Sequence, residues 1–155
     1  MNTASKPTEP ASGWIEGTDH FLPVRVYYED TDFTGLVYHA AYLKFMERGR
    51  SESLRATGTT HQDLLDGDMA LAFAIRRMDL VFTAPARIDD ALLVRTRFLV
   101  AKGARLQAEQ IVFCQGQELT RAKVELACID LTGRPRRIPK AVLAKMMPFL
   151  CTQMT

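Results

Sequence analysis

Apolar and polar side chains alternate from Phe21 to Tyr28, with Val24, Val26 and Tyr28 set against Arg25 and Tyr27, which is the period of a β-strand. After the polar stretch Asp30–Gly35 the period changes. Tyr38, Ala41, Tyr42, Phe45, Met46, Gly49, Ser53 and Leu54 recur at helical spacing while Lys44, Glu47, Arg48, Arg50, Glu52 and Arg55 take the other positions. The spacing predicts one helix of about five turns. Gly58 stops it, and residues 60–66 predict a further short helical turn before Gly67.

From Met69 to Leu131 the pattern returns to strands. Val94, Thr96, Phe98 and Val100 alternate with Leu93, Arg95, Arg97 and Leu99, and Ala122, Val124, Leu126 and Cys128 alternate with Arg121, Lys123 and Glu125. Breaks are expected at Pro85–Asp90, Lys102-Gly103, Gln115-Gly116 and Thr132-Gly133. Between Met69 and Phe82 the apolar set changes phase at Arg76-Arg77, as a β-bulge requires. The predicted order is strand, long helix, four strands, then a short helical tail from Lys140 to about Phe149. That order is α+β: one long central helix wrapped by a five-stranded antiparallel sheet, the hotdog architecture.

The 155 residues suffice for one domain with a real core. An apolar fraction of 47% and a charged fraction of 25% are those of an ordinary globular chain, and a net charge of +2 is too small to imply nucleic-acid binding. Residues 1–20 hold Pro7, Pro10, Thr3, Ser5 and Ser12 and no apolar run, so they read as a mobile arm rather than a signal or anchor, with the domain at 21–150. No segment is apolar enough to span a membrane, which makes the cytoplasm the expected address, with peripheral docking at the inner membrane left open. Cys114, Cys128 and Cys151 are odd in number and lack CxxC spacing, which fits inert thiols in a reducing compartment.

Candidate chemistry concentrates where the first strand meets the helix, in Tyr28-Glu29-Asp30-Thr31-Asp32-Phe33-Thr34-Gly35-Leu36-Val37-Tyr38-His39. A helix start offers unpaired N–H groups and the positive end of the dipole, so an acid beside it can attack a group that those N–H groups polarise. From the residues alone Asp32 is either that acid or the helix N-cap. His39 is either a structural histidine or one that positions substrate or moves a proton. Asp30 and Glu29 read as turn-forming or solvated, and Glu47 as an ion-pair partner of Arg48 or Arg50. Tyr28, Tyr38 and Tyr42 read as core or pocket wall, and Gly35 as a turn that needs positive φ or close backbone approach.

The run from Val24 to Arg55 resembles the acyl-CoA thioesterases of the 4-hydroxybenzoyl-CoA thioesterase family, in its YbgC-type branch associated with the bacterial Tol–Pal envelope system. The motif Tyr28-Glu29-Asp30-Thr31-Asp32, Gly35, Val37-Tyr38-His39, Tyr42 and Glu47 carries the likeness, supported by Ala84–Asp90 and Arg136-Arg137-Ile138-Pro139. The resemblance implies a hotdog enzyme hydrolysing an acyl-CoA thioester to a free acid and coenzyme A, without metal or organic cofactor. It implies catalysis by Asp32, as nucleophile or as general base on water. It also implies that the N–H at His39 and its neighbours holds the thioester carbonyl oxygen, with His39 itself at the catalytic centre. Gly35, Val37, Tyr38 and Tyr28 then contact substrate. Arg134, Arg136 and Arg137, with Lys140 beside them, are either a solvated run or a patch for the coenzyme A phosphates.

Acyl-CoA is the expected partner, with an acyl-carrier-protein thioester as second carrier. A homo-oligomer, dimer or tetramer, is expected because a lone sheet around one helix leaves an edge open. The rival readings are a hotdog dehydratase or hydratase with His39 as base, and a non-catalytic partner of envelope or lipid-synthesis proteins.

Overall fold

A computed structural model describes residues 6–151. The elements run β1 (Trp14–Glu16), β2 (Asp19–Arg25), a 3-10 turn (Tyr28–Asp30), α1 (His39–Thr57), α2 (His61–Leu65), β3 (Leu71–Phe82), β4 (Ala91–Lys102), β5 (Arg105–Cys114), β6 (Gln117–Asp130), α3 (Lys140–Met146) and a second 3-10 turn (Met147–Phe149). One antiparallel sheet has the order β1-β2-β4-β5-β6-β3, so the strand that follows the helices crosses to the far edge and pairs with β6. α1 packs across the sheet and buries Ala41, Tyr42, Phe45, Met46, Gly49, Ser53 and Leu54.

The expected helix, turns and tail are all present. Gly58 ends α1 in the left-handed region at φ 103°, its N–H bonded to Arg55 O and Leu54 O. Thr60 caps α2 through a reciprocal capping box with Asp63. The β3–β6 register shifts between Ile75 and Arg77, placing the bulge at the phase change. No disulfide joins the three cysteines.

Three expectations need correction. The sheet has six strands, not five, because Trp14–Glu16 folds back on β2 through a hairpin at Gly17 (φ 62°) and Trp14 stacks on Phe21 with centroids 5.9 Å apart. Strand pairing therefore reaches into the stretch read as an arm; residues 1–5 lie outside the described residues. Tyr28 does not extend the strand, which ends at Arg25. The Asp30 carboxylate accepts the Tyr27 N–H at 2.8 Å and closes a 3-10 turn over Tyr28–Asp30 instead.

Helix and sheet lie close together at Gly49. A Cβ there would lie 2.9 Å from both Thr96 Oγ1 and Val94 Cγ1 and 3.1 Å from Gln110 Nε2. Both strand neighbours are β-branched and buried, so neither swings aside. Gln110 pins the same spot, donating to Met46 O and to Thr96 Oγ1, each at 2.8 Å. Gly49→Ala is expected to destabilise by a net of about 1 kcal/mol, overpacking outweighing the gain in helix propensity. A denaturation midpoint at or above that of the parent would show that the sheet yields at this point.

Candidate active site

Residues 31–37 form a small hairpin on the route from the 3-10 turn to α1. Thr31 and Val37 bridge antiparallel, Asp32 N–H donates to Leu36 O at 2.9 Å, and Gly35 N–H donates to Asp32 O at 3.1 Å. Gly35 sits at φ 79°, where an L side chain would be strained, and meets the need read from the sequence. Val37 N–H on Ala86 O and Ile88 N–H on Gly35 O fix the hairpin to the loop between β3 and β4. The Ala84–Asp90 stretch therefore acts as its scaffold.

Asp32 is exposed near the tip of this hairpin. Its Oδ1 accepts the Thr34 hydroxyl at 2.5 Å and the Thr34 N–H at 2.8 Å. The Thr34 hydroxyl, then the Thr34 N–H, and more weakly the Leu36 N–H, hold the carboxyl below the usual carboxylate range, with slight desolvation opposing. Both bonds land on Oδ1, so Oδ2 has capacity left. Asp32 is not the N-cap of α1. That position belongs to Tyr38, which makes no side-chain cap bond.

The start of α1 is therefore open. Tyr38 N–H donates to Asp30 O and Ala41 N–H to Tyr38 O, which leaves the N–H groups of His39 and Ala40 as the ones available to a ligand. His39 also lines a cleft of about 310 Å³, together with Val37, Tyr42 and Phe82–Pro85. Tyr42 is buried, and its hydroxyl accepts the Ala86 N–H at 3.0 Å, tying the cleft floor to the scaffold loop. Burial pushes the Tyr42 phenol up, which keeps it neutral.

The structure brings Val37, His39 and Tyr42 together at one cleft, with Asp32 and Gly35 on the adjoining hairpin. It does not bring the rest. Tyr28 is 85% exposed and forms neither core nor pocket wall, a correction that follows from the 3-10 turn. Tyr38 is half-exposed and packs on the His39 ring, with centroids 4.4 Å apart at 54°. Asp30 forms the turn, one of the two roles read for it, and is buried rather than solvated. Glu47 makes no ion pair with Arg48 or Arg50 within 4.0 Å; it accepts from Ser51 Oγ at 2.9 Å instead. Phe33, fully exposed at the hairpin tip, was missed, because one aromatic residue between polar neighbours gives no periodic signal.

The basic cluster stands elsewhere. Arg136 Nε is committed to Asp130 Oδ2 at 2.8 Å, and Pro135 bridges Ile129. That is the end of β6 where Asp130 pairs with Leu71, whereas the cleft lies where Thr120 pairs with Phe82. Ten residues of β6 put about 30 Å between the two ends. Among the described residues no group of three or more His, Cys, Asp or Glu is placed to hold a metal, and no helix is long and apolar enough to cross a membrane.

The sequence model of the Thioesterase-like superfamily matches residues 26–146. The chain is 44% identical over 124 residues to the acyl-CoA thioesterase YbgC of Haemophilus influenzae, covering 79% of this chain and 90% of that one. It is 42% identical over 125 residues to the acyl-CoA thioester hydrolase YbgC of Escherichia coli O6:H1, covering 79% and 92%. Among solved structures, the probable thioesterase from Bartonella henselae superposes with a TM-score of 0.76 at 46% identity, over 78% of this chain and 99% of that one. An open helix start beside an ionised carboxylate, on one helix wrapped by an antiparallel sheet, thus coincides with a family match over most of the chain, and the protein belongs to the thioesterase-like superfamily of hotdog-type enzymes.

Proposed function

We propose that this protein hydrolyses acyl-CoA thioesters to free acid and coenzyme A. The single observation that carries the reading is the exposed Asp32, its pKa lowered, on the hairpin that leads into the uncapped start of α1, where His39 lines a cleft with Val37 and Tyr42. The thioester carbonyl oxygen points at the His39 and Ala40 N–H groups, which sit at the positive end of the helix dipole and stabilise the oxyanion. Asp32 either attacks the carbonyl carbon, giving an anhydride that water opens, or takes a proton from the attacking water. In both routes the C–S bond breaks and the electron pair leaves on sulfur as coenzyme A thiolate, which needs little acid assistance. The His39 ring, braced on Tyr38, orients the substrate beside its own N–H. Val37 shapes the approach, and Gly35 sets the turn that leads to it.

Asp32 is the working base only when ionised, so activity falls as pH drops through its depressed pKa. Thr34→Val removes the hydroxyl bond that contributes most to that depression and leaves the N–H bond in place. The acid limb of kcat/KM is then expected to move to higher pH, toward the ordinary value of about 3.9. An unmoved limb would mean that another group sets the profile.

We also propose a homodimer formed through β3, the outer edge of which has no strand partner among the described residues. Ile75, Val81 and Phe82 on that strand and Leu43 on α1 are exposed apolar side chains beside it. A two-fold axis between antiparallel β3 strands brings each chain's 134–137 segment to its partner's Asp32 end, so Arg134 and Arg137 serve the coenzyme A phosphates of the neighbouring site. Arg136, held by Asp130, shapes that segment rather than contacting phosphate. The cytoplasm, where acyl-CoA and reduced thiols coexist, suits this chemistry.

The deciding experiment is steady-state hydrolysis across acyl-CoAs of short, medium and long chain, with a matching acyl-carrier-protein thioester included. Release of coenzyme A that depends on the protein supports the reading. A preference for the carrier-protein thioester would reassign the carrier, and no release from any thioester would refute the reading.

A further inference from the structure

The cleft beside His39 has a fixed floor and one adjustable wall. Tyr42 is the floor: its ring is buried, packs edge-on against buried Phe45 with centroids 6.1 Å apart, and is tethered through its hydroxyl to the Ala86 N–H. Deepening the cleft there breaks a buried hydrogen bond. Phe82 is the wall, its ring meeting Tyr42 at 5.7 Å and 61° while remaining 50% exposed. Its backbone is held, because Phe82 pairs with Thr120 and the next two N–H groups, of Thr83 and Ala84, both donate to Leu119 O. The size of the Phe82 side chain therefore decides how far the cleft extends on this side.

Phe82 also stands at a junction. α1 packs mainly on β2, β4 and β5, so β3 runs along the flank of the helix rather than under it. Phe82, Leu80 and Met78 alternate onto the inner face of β3, about 7 Å apart, the latter two half-buried against the core. A chain that entered the cleft and continued along this flank meets the Phe82 ring first. The side chains of the cleft suit an alkyl group, since Val37, Ala84 and Pro85 are apolar and the Tyr42 hydroxyl is spent on Ala86. The amide-bearing arm of coenzyme A finds few side-chain partners there.

Resting on the thioesterase reading, we propose that Phe82 sets the acyl-chain length: its ring closes the cleft over Tyr42, so that short acyl groups fit beside His39 and longer ones are turned away from the flank of β3. The acyl group packs on the exposed part of the ring, and length is limited by the same side chain. A pocket that differs by a few methylenes discriminates by ~10-fold or more, which is the scale of effect expected here.

The test measures kcat/KM for butyryl-CoA and dodecanoyl-CoA on the parent and on Phe82→Ala, Phe82→Leu and Phe82→Trp. The parent is expected to favour butyryl-CoA, and Phe82→Ala to move the ratio at least ~10-fold toward dodecanoyl-CoA. Phe82→Leu falls between the two and still decides the matter if the alanine variant does not fold. Phe82→Trp moves the ratio the other way. A side chain that served only packing or a contact between copies would lower both substrates together, as would a cleft that held the coenzyme A arm. Circular dichroism and sedimentation accompany each variant, and an unchanged ratio in a folded variant overturns the proposal. So does a parent that prefers dodecanoyl-CoA. If the parent cleaves neither thioester, the thioesterase reading fails on its own, and the intact thioesters serve as calorimetric probes of the cleft. Tighter binding of butyryl-CoA by the parent, shifted toward dodecanoyl-CoA by Phe82→Ala, then still supports the wall. An equal effect on both refutes it.

Discussion

Asp32→Asn is expected to lower thioesterase turnover by at least ~100-fold while leaving the fold intact. The substitution separates chemistry from architecture unusually well at this position. The Asn carbonyl oxygen can accept both Thr34 bonds that Asp32 Oδ1 accepts, so the hairpin turn keeps its closure. Helix capping is not at stake, since Tyr38 holds the N-cap of α1. An amide, however, neither attacks a thioester carbonyl nor takes a proton from water. The loss belongs in kcat more than in KM, because the acyl and coenzyme A contacts stay in place. Asp30→Asn is expected to be milder on turnover, its carboxylate being occupied with the Tyr27 N–H. Near-normal turnover in a correctly folded Asp32→Asn protein would remove Asp32 from the mechanism and make His39 or Asp30 the next candidate.

Much of this architecture was legible because the periodic signals are long. Nineteen residues of α1 carry a consistent apolar face and end at a glycine that adopts the left-handed region. Strands of ten to fourteen residues show alternation too extended to arise by chance, and the Arg76 bulge appears as a phase change. β1 escaped because three residues cannot display a period of two, and its pairing depends on the Gly17 turn and the Trp14–Phe21 stack. Tyr28 was misplaced for a related reason. The alternation continues past Arg25, but the Asp30 carboxylate takes the Tyr27 N–H and bends the chain, a local side-chain bond that outweighs the pattern.

The candidate site was legible where its parts are contiguous in sequence and obscure where they are not. Asp32, Gly35, Val37 and His39 lie within eight residues, and the hairpin keeps them close. Glu47 was read with its neighbours Arg48 and Arg50. Its observed partner is Ser51, one turn along α1, and Ser51 in turn meets His61 from a second helix that doubles back after Gly58. Arg136 looked available beside Arg134 and Arg137, yet Asp130, six residues earlier on the closing strand, claims it. Sequence proximity overstates ion pairs on a helix face and understates contacts made across a turn.

Charging the free edge of β3 is expected to separate the protein into monomers and to cut turnover on the order of 100-fold, because each site loses groups supplied by its neighbour. Arg77, Asp79 and Val81 share one face of β3. Asp79→Lys with Val81→Lys turns that face uniformly positive. In an isologous antiparallel pair the same face meets itself, so every introduced charge opposes a like charge. The exposed Arg77–Asp79 pair, at 3.3 Å, contributes little to the stability of a single chain, and Val81 is exposed, so the monomer itself should fold. KM should rise together with the fall in turnover, since Arg134 and Arg137 can no longer reach a neighbouring substrate's phosphates. Sedimentation, circular dichroism and steady-state kinetics on the same preparation decide the matter. A folded monomer with parental kinetics would show that the site is complete within one chain, and a parental protein already monomeric at micromolar concentration would dismiss the β3 interface altogether.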